Sequence, residues 1–154
     1  GLAPGSRIIE SDRIRKAMYG VAAETRLPAR SYTPDVSRRV YREMAWRSAL
    51  ILAEGGSVVA DAVFDRTENR EAIEKAASDE RVPFTGIWLE ADAAVLWQRV
   101  GARRGGPSDA TVDVLARQLE RQVEDMSWHR IDAGGSVTDI ADAILSLCRL
   151  HGPN

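Results

Sequence analysis

The sequence predicts a single α/β domain over residues 1–154, three layers deep, with a mostly parallel sheet flanked by helices. Two observations carry this. Four short apolar runs, at 7–10, 57–64, 84–90 and 128–132, alternate with longer stretches of helical periodicity. Strands that alternate with helices in this way pair in parallel through right-handed crossovers. The run Ser57 to Phe64 also carries one carboxylate, Asp61, where a buried strand would emerge from the sheet. Ligands of open α/β sheets bind beyond the carboxyl ends of the strands, so Asp61 stands where a metal or substrate is expected, or else caps the next helix.

Each element has its own justification. Gly1 to Ser6 is a loop, and Arg7 to Glu10 a short strand. Ser11 or Asp12 can cap a helix from Arg13 to Tyr19, stopped by Gly20. Residues 21–32 lack periodicity and read as an exposed, mobile connection. Thr33 as N-cap and Pro34 at the first helical position open a long helix that ends at Gly55. Its stripe of Val36, Val40, Met44 and Ile51 predicts the buried face, with Arg38, Arg39 and Arg42 turned away.

After the Asp61 strand, helices are predicted over Arg66 to Ser78, Ala91 to Arg103 and Ala110 to Asp125, with a strand at Phe84 to Glu90. The last strand is Trp128 to Asp132. Ser136 then caps a final helix whose apolar face includes Ile140, Ile144, Leu147 and Cys148.

Composition narrows the classes of function. Hydrophobic residues at 44% and charged residues at 29% exclude a disordered chain, and a net charge of -2 argues against a strongly basic nucleic-acid binder. A single cysteine supports neither a disulfide framework nor a thiolate metal cluster. With no run of 18 or more apolar residues and no signal-like start, neither a membrane span nor export is expected, and the expected location is the cytoplasm.

Three polar clusters fall where the sheet would gather them: Ser11 to Arg15 after the first strand, Asp61 after the second, and Arg99 with Arg103 running into Gly105 to Asp109. Acids with arginines point to chemistry on an anionic ligand. Phosphoryl transfer needs a group that orients the attacking hydroxyl, a carboxylate for the metal and cations for the transferring group. Asp12, Asp61 and the arginine pair could fill those roles. Each also has a plainer reading: Asp12 as a helix cap, Arg15 as a solvated side chain, Arg99 and Arg103 as partners of Asp92 or Glu90.

The order of the pieces resembles the small P-loop kinases of the zeta-toxin and polynucleotide-kinase-like group. It is most similar to the ATP-binding half of bacterial proteins that join an aminoglycoside-phosphotransferase-like domain to such a kinase. The matching pieces are Ile8 to Lys16, Tyr32 to Pro34, Val40-Tyr41, Gly56 to Phe64, Trp88 to Glu90, Arg99 through Arg103 to Ala110, and Trp128 to Ala133. The resemblance implies that Asp12 takes or orients the hydroxyl proton and that Arg15 helps hold substrate. Asp61 would face magnesium through water, and Arg99 and Arg103 would reach the phosphates as a lid closes. Arg103 and Asp109 would lie on the nucleotide side.

One departure is large: the chain contains no Gly-x-x-x-x-Gly-Lys-Ser/Thr. That loop supplies backbone amides, a lysine for the phosphates and a hydroxyl for magnesium. In the family its strand and helix precede the segment where this chain starts, and the strand lies between the Asp61 and Trp88 strands. The expectation is therefore a P-loop-kinase-like domain without its first strand and helix. It would be part of an ATP- and Mg2+-dependent kinase acting on an unidentified small-molecule hydroxyl, and inactive as this segment alone. A closed-up four-strand sheet, a homo-oligomer or a missing segment would fill the seam. The alternative is a non-catalytic α/β module that binds a partner or anion through its arginine-rich surface.

Overall fold

The computed structural model describes residues 6–102, 108–109, 115–116 and 126–150. They divide between two compact units, residues 6–82 with 108–109, and residues 83–102 with 115–116 and 126–150.

In the first unit, strand β1 (Ser6–Glu10) leads without a loop into helix α1 (Ser11–Met18). A 3-10 turn (Ala29–Tyr32), the long helix α2 (Pro34–Ala53), strand β2 (Ser57–Asp61) and helix α3 (Thr67–Asp79) follow. β1 and β2 pair in parallel, with Ile8 opposite Val59, Ile9 opposite Ala60 and Glu10 opposite Asp61. In the second unit β3 (Ile87–Glu90) pairs in parallel with β4 (His129–Asp132), accompanied by α4 (Ala93–Ala102) and α5 (Val137–Leu150).

Local chemistry sets several boundaries as expected. Thr33 caps α2 by accepting a bond from the Val36 amide, and Gly55 takes the left-handed conformation just past its end, with φ at 78°. Ser136 likewise accepts the Asp139 amide at the start of α5. The α1 boundary departs from expectation. Glu10, still extended, stands at the cap position, where its side chain accepts from Arg13 instead of capping a helix amide, and Asp12 sits inside the first turn.

Burial departs from expectation at β2. The strand is not enclosed on both faces: its residues alternate between exposed and half-buried, and Asp61 is exposed. α2 packs on both strands, and the covered face carries Ile9 opposite Ala60. The other face presents Ile8, 60% exposed, opposite Val59, 38% exposed. Two two-stranded parallel ladders are formed, β1–β2 in the first unit and β3–β4 in the second. Among the described residues β2 is hydrogen-bonded only to β1. The first unit has its core in Ile9, Ile14, Val40, Met44, Phe64 and Ile73; Ile131 and Ala133 are buried in the second. Cys148, expected on the apolar face of α5, is exposed.

The predicted helix Ala110 to Asp125 and the loop before it lie largely outside the described residues, although Leu115 and Ala116 are helical.

Candidate functional site

The first unit brings acids and cations together just past the carboxyl end of β1. Because α1 begins where β1 stops, Asp12, Arg15 and Lys16 emerge within two turns of helix beside the strand ends. Asp61 closes β2 at the same end, in register with Glu10.

Asp12 is half-buried. Burial pushes its carboxyl above the usual 3.8, against the pull of the Arg15 guanidinium and a hydrogen bond with the Ser108 side chain. Arg15, expected to be solvated or to hold substrate, is buried. One terminal nitrogen donates to the Ser31 carbonyl at 2.9 Å, the other to the Ser37 hydroxyl at 3.5 Å, and the guanidinium lies 4.7 Å from the Tyr32 ring centre. That stacking is a favourable cation–π arrangement. Among the described residues its Nε has no partner.

Lys16 was not singled out by sequence, yet its side chain is only 1% exposed and its ammonium donates to Asp109 at 2.8 Å and to the Thr25 carbonyl. Asp109 accepts on its other oxygen from the Leu27 amide at 2.9 Å and from the Tyr32 hydroxyl. Burial would raise the Asp109 carboxyl, but the bonds from Lys16, Tyr32 and Leu27 outweigh it and hold the group below 3.8. Asp109 and Arg15 thus pin residues 25–32 against α1. This stretch, expected to be an exposed connection, has Leu27 and Ser31 buried. The only sequence clue to Lys16 was rarity, since the chain has just two lysines.

Arg99 lies in the second unit, where it donates to the carbonyls of Ala133 at 2.5 Å and Gly135 at 3.1 Å. The first unit therefore brings Asp12, Arg15 and Asp109 together with Asp61 at the neighbouring strand end, and Arg99 belongs to the second unit. Arg103 lies outside the described residues.

As a metal donor, Asp61 offers one exposed carboxylate, while Glu10 across the ladder is ion-paired with Arg13. Magnesium takes one or two carboxylates and completes its shell with water and substrate phosphates, so this donor set suits it. A dedicated cage is a different matter: among the described residues no group of three His, Cys, Asp or Glu could hold a metal. No helix among them is long and apolar enough to cross a membrane.

Comparison with known proteins agrees with this architecture. A family model described as an AAA domain matches residues 2–126. Uncharacterised proteins of Mycobacterium tuberculosis and Mycobacterium bovis are 29% identical over 135 residues, 85% of this chain. The chain spans only 27% of the length of these relatives. Among solved structures, a gluconokinase from Sinorhizobium meliloti 1021 superposes with a TM-score of 0.61 at 21% identity, covering 96% of this chain and 79% of that one. A sugar kinase from Janibacter sp. gives 0.63 at 16%, with 97% and 85% covered. The tunicamycin resistance protein of Deinococcus radiodurans gives 0.53 at 16%, with 98% and 87% covered. With parallel β-strand pairs, an acid-led helix after β1 and a family match over most of its length, this chain belongs to the AAA domain family and has the fold of a P-loop kinase domain.

Proposed function

We propose that these residues form the acceptor side of a nucleotide-dependent kinase that transfers a phosphoryl group to a hydroxyl of a small molecule. The observation that carries this is Asp12, a half-buried acid with a raised carboxyl in the first turn after β1, flanked by Arg15. A carboxylate tuned upward is a better base near neutrality than an exposed one. Asp12 takes or orients the proton of the attacking hydroxyl. Arg15 fixes Tyr32 and the Ser31 carbonyl beside it, shaping the acceptor pocket rather than standing free for an anion.

Magnesium and the nucleotide, when bound, supply the phosphoryl group and neutralise charge on it. Asp61 would hold the metal through water. Arg99 and Arg103 are assigned to the phosphates. Arg99 would have to give up its bonds to the Ala133 and Gly135 carbonyls to take that role. Asp109 serves the nucleotide side indirectly, by holding Lys16 and Tyr32 in place. The loop that grips the β- and γ-phosphates has no counterpart among these 154 residues, so the chain alone is proposed to turn over little or nothing. The edge of β2 away from β1, to which no strand is paired among the described residues, is the proposed seat for a strand from elsewhere in a longer polypeptide or from a second copy.

Two measurements test the reading. In the polypeptide that carries these residues, Asp12→Asn is expected to lower kcat for acceptor phosphorylation by roughly 10²–10⁴-fold while KM for Mg-ATP changes little. Unchanged turnover would remove Asp12 from the chemistry. Calorimetry of the isolated chain with Mg-ATP is expected to show only weak binding; micromolar affinity would overturn the view that the phosphate loop is supplied elsewhere.

A further inference from the structure

Away from this site, helix α2 carries a surface that the proposed reaction does not use. Its outward side bears Arg39, Arg42, Glu43 and Trp46 at helical spacing, and together with Met18 at the end of α1 they line a cleft of about 390 Å³. Trp46 is 57% exposed, Met18 38%, and Leu50, one turn beyond Trp46, 48%. An indole this exposed, continued by leucine and methionine, is an apolar strip on a helix whose opposite face already fills the core through Val40 and Met44.

The charge beside the strip is one-sided. Glu43 accepts from Arg47 at 2.8 Å, and Arg38 pairs with Asp35, so both of those arginines are compensated locally. Among the described residues, Arg39 and Arg42 have no ion-pair partner. The cleft therefore presents two uncompensated guanidinium groups one helical turn apart, next to an apolar anchor.

We infer that the Met18–Trp46 cleft docks an acidic amphipathic helix of a partner protein, its apolar face on Trp46, Met18 and Leu50 and two of its carboxylates on Arg39 and Arg42. Spacing favours a helix as the occupant. Residues at i and i+3 or i+4 on a helix have Cβ atoms about 5–6 Å apart, so a partner helix can present two carboxylates at the same helical spacing that Arg39 and Arg42 have on α2. Guanidinium groups pair carboxylates through two parallel bonds, and an interfacial tryptophan ringed by such contacts concentrates binding energy. A small inorganic anion would use the two arginines and have no use for Trp46.

The test uses the intact chain and a fluorescein-labelled amphipathic peptide with leucines on one face and glutamates one turn apart on its flank. The control peptide has lysines in place of the glutamates. Anisotropy titrations are expected to show binding of the glutamate peptide that weakens with salt, and little binding of the lysine peptide. Trp46→Ala and the double variant Arg39→Glu/Arg42→Glu are each expected to weaken it by about tenfold or more. The charge-reversed chain should instead gain affinity for the lysine peptide. Arg39→Gln/Arg42→Gln, a milder pair, should fall between, and circular dichroism should show all variants folded, since every changed side chain is exposed.

Equal affinity for both peptides, or none for either, would overturn the inference. So would loss of binding to inorganic phosphate competition with Trp46→Ala neutral, which marks a bare anion site. Concentration-dependent self-association in sedimentation velocity that Trp46→Ala abolishes would replace the acidic partner with a second copy of the chain.

Discussion

Lys16 and Asp109, 93 positions apart in sequence, form an ion pair at 2.8 Å with side chains only 1% and 10% exposed. It ties Ser108-Asp109 to α1, and through the Leu27 amide and the Tyr32 hydroxyl it gathers residues 25–32 as well.

Removing one partner should therefore cost more than a surface ion pair would. Asp109→Ala leaves the Lys16 ammonium, among the described residues, with only the Thr25 carbonyl, and is expected to destabilise the fold by about 3–5 kcal/mol. Lys16→Met together with Asp109→Ala should recover part of the loss, because no buried charge is then left alone. Urea denaturation of the three variants decides it. A loss under about 1 kcal/mol for Asp109→Ala would mean the pair is solvated in practice.

The two acids of the site should respond to pH in opposite directions. Asp109 has its carboxyl depressed below 3.8, so the stability it contributes is fully present above that value and is lost as pH falls through its lowered one. Asp12 has its carboxyl raised. Its folded state favours the protonated form, so its contribution is present below 3.8 and is lost as pH rises through the raised value. Asp12→Asn is accordingly expected to raise the melting temperature at neutral pH and to give no gain in acid. A variant less stable at neutral pH would contradict this account of Asp12.

Phe64 adopts a left-handed backbone conformation, with φ at 48°, an uncommon state for a bulky residue. Its amide donates to the Tyr41 hydroxyl at 3.1 Å, its carbonyl accepts from Arg70 at 3.0 Å, and its ring meets the edge of Tyr41 with centres 5.5 Å apart. Burial pushes the Tyr41 hydroxyl up to about 12, so it stays protonated at any working pH and can accept the amide. Tyr41→Phe removes that acceptor while keeping the ring contact, and should cost about 1–3 kcal/mol in chemical denaturation. An unchanged midpoint would show the Phe64 amide to be satisfied by water.

Gly86 leaves room for the Trp128 ring, which also packs on Phe84 with ring centres 5.7 Å apart. A Cβ at position 86 would stand 2.4 Å from two atoms of that indole. Gly86→Ala is expected to cost about 1–3 kcal/mol and to shift the Trp128 environment. The comparison of Gly86→Ala with Gly86→Ala/Trp128→Ala in thermal melts isolates the clash: if both lose the same amount, the ring is not what requires glycine.

Much of the fold was legible because its causes are local. Thr33-Pro34 opens α2 and Gly55 closes it through chemistry contained within one turn of chain, and the Arg7 to Glu10 and Ser57 to Phe64 runs read as strands by composition alone, the second ending at Asp61 in the structure. The P-loop-kinase resemblance held because it rested on the order of many such pieces. What failed depended on neighbours that no short window contains. Residues 21–32 lack periodicity, so nothing within them announces that Leu27 and Ser31 are buried; Asp109 and Arg15 impose it from outside. Apolar composition made β2 look doubly covered, but coverage depends on what packs on each face, and Ile8 and Val59 stand exposed.

The sequence by itself determined the alternation of strands and helices, the placement of Asp12 and Asp61 at strand ends, and the absence of a phosphate-gripping loop from these residues. Those are consequences of periodicity and residue identity. Only the tertiary structure decided which charges are buried and with whom. A lysine on an amphipathic helix reads as solvated until an aspartate far along the chain removes it from water. An arginine reads as free for a ligand until the carbonyls of Ser31, or of Ala133 and Gly135, occupy it. Desolvation and pairing are properties of the packed neighbourhood, so the character of Asp12 and the engagement of Arg15, Lys16 and Arg99 belong to the fold rather than to the string of residues.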